Sequence, residues 1–368
     1  MEYIQKTNER NFSKLSKLID KYLIPQELEK KKNAEVSTPY ALRQEMLDKI
    51  PVEFWTTPKK VFEPCSGKGG FVIDIVDRFN TGLSNLITDE KERYRVIVEE
   101  CLYFSDINPT NIYICSLLLD PRGEYKLNFN EGNTLELDIF FDSLVNKGKW
   151  NITGFDAVIG NPPYNSSGNV GSGNTIWQHF VKKALNEWII PNGYLLYVHP
   201  PGWRKPCYTK SQLKGLFNLM CHQNQMLYLE IHGINDGKKT FNCGTRYDWY
   251  LIMKILSSMC TSIKDERNII YNINMKNINW LPNHSIMNVF NILTTDFNNS
   301  INILMDSAYH ATRVYVNTIE SNEFKYPCIH STPKNGVRYM YSKVNDKGHF
   351  GISKVIFGES GIYNAIID

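Results

Sequence analysis

Apolar positions along this chain fall into short blocks between polar turns, and two spacings alternate. Val61-Phe62, Leu102-Tyr103-Phe104, Ala157-Val158-Ile159, Tyr194 to Val198, Met226 to Ile231 and Trp249 to Met253 are compact, largely apolar runs. Bounded by Gly, Pro, Asn and Asp, they predict buried strands. Tyr125 to Leu135 alternates apolar and polar, turns at Gly132, and adds a seventh. Between these runs the period lengthens. Leu42, Met46 and Ile50 keep one face apolar, Val72, Ile73, Ile75 and Val76 follow Phe71, and Thr110 to Leu119 and Trp177 to Trp188 read as helices. Strands alternating with helices predict an α/β domain with its strands buried on both faces. The last strand follows a hairpin-like turn after Phe241.

Two flanking regions differ in character. Residues 1–35 are polar and Lys/Glu-rich, with an apolar stripe from Phe12 to Asp20, and are expected to form a solvated N-terminal helical arm. The arm is too short for a nuclease domain. From about Ser258 the chain is rich in Asn, Ile, Tyr, Lys and His, in short alternating segments such as Arg313 to Val316, Val337 to Tyr341 and Ser353 to Phe357. A small β or α+β domain over 259–368 is expected, leaving 36–258 as the central domain. Its interleaved aromatic and basic side chains suit base stacking and phosphate contacts. The chain ends directly after strand-like residues, which leaves the completeness of this domain open.

Composition narrows the classes. At 368 residues there is room for a full core and two domains. The polar N-terminus is no secretory signal, and the apolar runs are far too short to span a bilayer, so no membrane partner is expected. Eight scattered cysteines without a C-x-x-C pair imply neither a zinc site nor a disulfide framework; no metal is expected, and the expected setting is the cytoplasm. A net charge of +3 is compatible with nucleic acid without arguing for it.

Chemistry concentrates at Asp156-Ala157-Val158-Ile159-Gly160-Asn161-Pro162-Pro163-Tyr164, a strand that stops in a rigid turn. The C-terminal end of such a strand is where α/β folds place ligands. Two prolines remove two N–H donors and leave carbonyls free. Asn161 offers a side-chain acceptor, Pro162 a backbone acceptor and Tyr164 a flat face, a set suited to a planar group with an exocyclic amine. Upstream, Glu63-Pro64-Cys65-Ser66-Gly67-Lys68-Gly69-Gly70 is a glycine-rich turn between strand and helix. It lacks the spacing of a Walker A loop, and Glu63 would crowd the pyrophosphate of a dinucleotide. A carboxylate there suits an ammonium group. Asp106, at the end of the next strand, suits two ribose hydroxyls.

Asn-Pro-Pro-Tyr after an apolar strand resembles the catalytic motif of S-adenosylmethionine (AdoMet)-dependent amino-methyltransferases. Ser37-Thr38-Pro39 resembles the helix start that closes over the methionine end of AdoMet in adenine enzymes, with Ser37 or Thr38 as cap and Pro39 as first helical residue. The order of these features over roughly residues 36–258 is similar to that of γ-class N6-adenine DNA methyltransferases of type I and II restriction–modification systems. The resemblance implies a Rossmann-like, seven-stranded methyltransferase sheet with its final strand antiparallel, and a C-terminal target-recognition domain. It implies a cofactor site of Thr38, Glu63, Cys65, Gly67, Asp106, Ile107 (against the adenine ring), Asn133 and Pro163. It places Asn161, Pro162, Tyr164 and Phe241 at the reaction, with Phe241, or Tyr247 in its stead, as second face of the pocket for a flipped-out adenine. Asn165 to Asn174 would be a lid. Expected partners are double-stranded DNA and a cognate restriction endonuclease or specificity subunit.

Other readings share parts of this pattern. Release-factor glutamine and ribosomal RNA methyltransferases also carry Asn-Pro-Pro-Tyr, but lack the Thr-Pro helix and C-terminal domain. N4-cytosine enzymes more usually carry Ser in place of Asn161. A non-catalytic specificity subunit would not need the full set. Pro64-Cys65, Pro206-Cys207 and Pro327-Cys328 resemble the nucleophile pair of C5-cytosine enzymes, but none follows the strand that carries the motif.

Overall fold

The computed structural model describes residues 11–26, 29, 35–138, 148–150, 152–166, 175–205, 211–292, 307–333, 335–358 and 361–367. It divides into two compact units, residues 1–292 and 293–368.

The first unit is built on a nine-stranded sheet. In chain order the strands are β1 (Val61–Glu63), β2 (Leu102–Asp106), β3 (Asn128–Glu131), β4 (Phe155–Gly160), β5 (Ile189–His199), β6 (Gln225–His232), β7 (Tyr247–Met253), β8 (Thr261–Lys264) and β9 (Ile270–Ile273). Their spatial order is β3-β2-β1-β4-β5-β7-β6-β8-β9. β1 to β5 run parallel, and β7 lies antiparallel between β5 and β6. The seven strands expected from the sequence are therefore present, and the last is reversed as expected. β8 and β9 are additional: β8 pairs parallel to β6 and β9 closes the edge. This moves the boundary, because residues 259–292, expected to open the C-terminal domain, complete the central one. Ile263, Ile273, Met275, Leu281 and Ile286 are buried in its core.

Alternation along each strand feeds two cores. Val61, Leu102, Phe104, Ala157 and Ile159 face a cluster with Phe12 and Ile19 of α1 (Phe12–Tyr22), Leu42 and Met46 of α2 (Tyr40–Leu47), α3 (Gly70–Gly82), α4 (Glu90–Val96) and α5 (Pro109–Leu119). Phe62, Tyr103, Val158, Leu195 and Tyr197 face the other cluster, with α6 (Trp177–Lys183) and α7 (Leu216–Cys221). A sheet covered on both faces explains why its strands read as nearly unbroken apolar runs. The arm over 1–35, expected to be solvated, instead packs α1 into this core through Phe12 and Ile19. α8 (Ile234–Phe241) and α9 (Ile286–Ile292) complete the unit.

Two corrections concern helix ends. α2 begins at Tyr40, with Pro39 as its N-cap, and neither Ser37 nor Thr38 caps it. Phe241 is the last residue of α8 rather than part of a turn before β7. The cap of α8 is instead made by the Asp236 carboxylate accepting from Gly233 N at 3.0 Å.

In the second unit, β10 (Val316–Asn317), β12 (Arg338–Ser342) and β11 (Tyr326–Ser331) form an antiparallel sheet, and β13 (Val355–Gly358) pairs antiparallel with β14 (Gly361–Ile367). Among its described residues, Val316, Cys328 and Met340 are buried and apolar, beside a cluster of Tyr309, Tyr315, Tyr326 and Phe350. This agrees with the small β domain expected from the alternating segments.

Candidate functional site: a cleft at the strand ends

The strand order reverses between β1 and β4, and the cleft lies beyond the carboxyl ends of β1, β2 and β4, where open α/β sheets bind ligands. It is a partly open cleft with a cavity volume of about 160 Å³. Cys65, Gly67, Asp106, Ile107, Asn133, Asn161, Pro162, Pro163 and Tyr164 all line it. A second, adjoining hollow is lined by Thr38, Glu63, Arg43 and Lys68, and shares Glu35, Val36, Cys65, Gly67 and Asn161 with the first. Thus all the candidate residues except Phe241 and its substitute Tyr247 line these two adjoining hollows.

The local sequence explains how each group arrives. β1 delivers Glu63 to its end, buried beside the start of α3. Gly67 and Gly69 then take positive φ values of 50° and 88°. Only glycine adopts these cheaply, and they turn the chain so that Gly69 caps α3. β2 delivers Asp106, whose Oδ2 accepts from Gly67 N and whose Oδ1 accepts from Asn108 N, each at 2.8 Å. Asn108 caps α5. Asp106 thereby ties the glycine loop to the end of β2. Beyond β3, Asn133 Oδ1 accepts from Leu135 N, which holds Asn133 at the rim.

At the end of β4, Asn161 Nδ2 donates to Thr38 Oγ1 at 3.1 Å and to Val36 O at 3.3 Å. Thr38 is freed for this role because it does not cap α2. Asn161 Oδ1 is covered and has no hydrogen-bond partner, and the same holds for the Tyr164 hydroxyl. Burial drives the Tyr164 phenol far up, Tyr247 and Cys243 reinforce the shift, and Asn161 opposes it. The phenol stays neutral at physiological pH, an apolar face rather than a base.

The trough is acidic. Burial raises Glu63 well above the carboxylate range; Arg43 opposes, while Asp106 and Asp74 reinforce. Burial likewise raises Asp106, against the amides of Asn108 and Gly67. Glu63 Oε2 has no hydrogen-bond partner. Carboxylates held this way in a dry site favour a cationic ligand. Burial raises the Cys65 thiol well above its normal value, with Asp106 and Glu63 reinforcing, so it is no thiolate nucleophile.

Two groups escaped the sequence reading. Arg43, on the face of α2 opposite to solvent, donates Nε to Asp74 Oδ2 at 2.6 Å, Nη1 to Asp20 Oδ1 at 2.8 Å and Nη2 to Ser16 Oγ at 2.7 Å. Its Nη1 also donates to Thr38 O, fixing the residue that holds Asn161. Glu35 lines both hollows. It sits where the polar arm gives way to the Thr-Pro segment, and no motif marks it.

Phe241 lines neither hollow. It packs edge-on against Tyr247, with centroids 4.9 Å apart, and Tyr247 in turn stacks on His232. The expected lid falls largely outside the described residues; its first residue, Asn165, forms an antiparallel bridge with Thr175, which follows its last. Cys207 also lies outside them. Among the described residues no cluster of three or more His, Cys, Asp or Glu side chains is placed to hold a metal ion, and no helix is long and apolar enough to cross a membrane.

Sheet order, reversed β7 and ligand cleft define the class: this is the fold of a class I AdoMet-dependent methyltransferase. More particularly, residues 100–233, from the start of β2 to the end of β6, match the Eco57I restriction-modification methylase family. Over 132 residues the chain is 31% identical to an uncharacterized adenine-specific methylase of Mycoplasma pneumoniae, covering 34% of this chain and 29% of that protein. Among solved structures it is similar to a modification subunit of a putative type I restriction enzyme from Vibrio vulnificus, with a TM-score of 0.49, 14% identity, and coverage of 72% of this chain and 54% of that one. It is also similar to a putative class I S-adenosylmethionine-dependent methyltransferase from Listeria monocytogenes, with a TM-score of 0.45, 10% identity, and coverage of 70% and 72%. The chain thus matches under a third of the curated relative's length and about half of the modification subunit's.

Proposed function

We propose that this protein transfers a methyl group from AdoMet to the exocyclic N6 amine of an adenine in DNA. The observation that carries the reading is Asn161: its donor end is occupied by Thr38 and Val36, and its acceptor Oδ1 is unpartnered beside Pro162 in the wall of the cleft. A covered acceptor without a donor is costly, which is expected where a ligand supplies the missing donor.

The residues present fit AdoMet. Glu63, with an unpartnered oxygen, suits the ammonium; Asp106 suits the ribose diol; Ile107, Asn133 and Pro163 stand at the adenine end; Thr38, Cys65 and Gly67 complete the wall. When bound, AdoMet supplies a methyl group already activated on a sulfonium. The chain's own work is on the acceptor. The adenine amine is a weak nucleophile because its lone pair is delocalised into the ring. Asn161 Oδ1 and Pro162 O accept its two N–H groups and favour a geometry in which the lone pair points out of the ring. Tyr164 offers its face to the extruded base. The nitrogen would gain the methyl as its bond to sulfur breaks, with the neutral thioether as leaving group, and would release one proton to solvent. The unit from residue 293 is proposed as the target-recognition domain, with double-stranded DNA and a specificity subunit or cognate endonuclease as partners. The adenine-specific methylase relative supports adenine as target.

The test is incubation with AdoMet and unmethylated DNA, followed by nucleoside mass spectrometry. N6-methyladenine that vanishes in Asn161→Ala, with AdoMet binding kept, is the expected result. Equal product from the variant, or methylation of cytosine alone, would overturn the assignment.

A further inference from the structure

Glu35 belongs to no recognised motif, yet it stands where the two hollows meet. Its side chain is only 10% exposed. Oε2 accepts from Asn111 Nδ2 at 3.1 Å. Oε1 is covered and has no hydrogen-bond partner; the nearest cation, Lys68 Nζ, is 3.8 Å away and is itself engaged by Glu29. Burial raises the Glu35 carboxyl, Asn111 and Lys68 oppose, and Asp106 and Glu29 reinforce. The protein thus keeps a third carboxyl group in the trough at a cost in solvation that Asn111 and Lys68 offset only in part, with Oε1 left without a hydrogen bond.

Its place indicates its use. On the proposed reading, the hollow with Glu63 takes the amino-acid end of the cofactor and the hollow with Asp106 and Asn133 takes the nucleoside end. The junction, lined by Glu35, Val36, Cys65, Gly67 and Asn161, is then where the sulfur lies. Before transfer that sulfur is a cation; after transfer it is a neutral thioether. We propose that Glu35 is a cofactor-binding residue that recognises the positive charge of the sulfonium, so that the site holds the methyl donor in preference to the demethylated product. This rests on the methyltransferase reading, and it assigns to Glu35 a task distinct from those of Glu63 and Asp106. Those two meet groups that donor and product share, whereas Glu35 meets the one group that differs.

The test compares AdoMet with S-adenosylhomocysteine, which differ by one methyl group and one charge, in equilibrium binding to the full chain. In Glu35→Gln, which retains an acceptor for Asn111, the AdoMet dissociation constant is expected to rise at least about tenfold while that of S-adenosylhomocysteine moves less than about threefold. Glu35→Asp, which keeps the charge, is expected to retain most of the wild-type preference and serves if the Gln variant folds poorly. Parallel losses for both ligands in Glu35→Gln, or no loss for either, would assign Glu35 a structural role and overturn the proposal. If the wild-type protein binds neither ligand, the methyltransferase reading falls and this proposal falls with it.

Discussion

Replacing Arg43 by Met tests the part of the structure that was least visible in the sequence. The guanidinium is 2% exposed and its partner Asp74 1% exposed. Arg43→Met keeps the approximate volume but removes three side-chain hydrogen bonds, to Asp74, Asp20 and Ser16, and the hold on Thr38 O. Asp20 is partly exposed and can turn to water. Asp74 cannot, and the loss is set by a carboxylate left buried without its counter-charge, about 3–5 kcal/mol. In a unit of this size that lowers the melting temperature by roughly 10 °C. The sign with pH is fixed. Burial already raises Asp74 above its ordinary value, with Arg43 pulling it down. Without Arg43 it rises further. A carboxyl raised in the folded state is at no disadvantage below its unfolded value and loses stability as pH rises through the folded one. The deficit should therefore be small near pH 4 and full at pH 7.5. Urea unfolding followed by circular dichroism at both pH values measures it. Arg43→Met with Asp74→Leu should recover most of the loss, because a paired charge replaced by apolar groups is close to neutral. A deficit under about 1 kcal/mol, or one independent of pH, would refute the account.

Further outcomes follow from the same geometry. His199 is buried, with Nε2 against the Tyr250 hydroxyl at 2.7 Å, and burial lowers its pKa to about 3. A depressed folded value means that stability is lost as pH falls from about 6.5 towards 3, by up to about 1.4 kcal/mol per pH unit. His199→Gln should remove that part of the acid slope, and an unchanged slope would contradict the burial argument. Tyr164→Ala should lower kcat/KM on DNA about 10- to 100-fold through lost stacking, whereas Phe241→Ala, which disturbs only the packing on Tyr247, should stay within about threefold. Equal losses in both would restore Phe241 to the base pocket.

The central fold was legible because its strands are buried on both faces and punctuated by Gly, Pro and Asn. β8 and β9 were not, since Thr261-Ser262-Ile263-Lys264 and Ile270-Tyr271-Asn272-Ile273 are short, half-polar edge strands whose pairing depends on β6. Most of the trough could be read because glycines, prolines and terminal acids carry backbone meaning at fixed offsets. Arg43 and Glu35 could not, for a charge on a helix or in a polar arm looks solvated until its burial is known. Phe241, expected in a turn, stands at the end of a helix, because Lys238-Lys239 and Gly237 disguise that helix.

The hydrogen bonds of Asn161 reach back 123 and 125 positions, to Thr38 and Val36. The Val36 carbonyl can only accept, so the nitrogen of the amide faces it and the oxygen faces away; the Thr38 hydroxyl, able to donate or accept, follows that choice. The polarity of the amide is therefore set by a remote segment. A base presenting a carbonyl at that spot, as guanine or thymine would, sets acceptor against acceptor in a place closed to water, a mismatch of about 1–3 kcal/mol. On the proposed function, the segment around Val36 would belong to the alphabet, making an otherwise ambidextrous amide legible to amines alone.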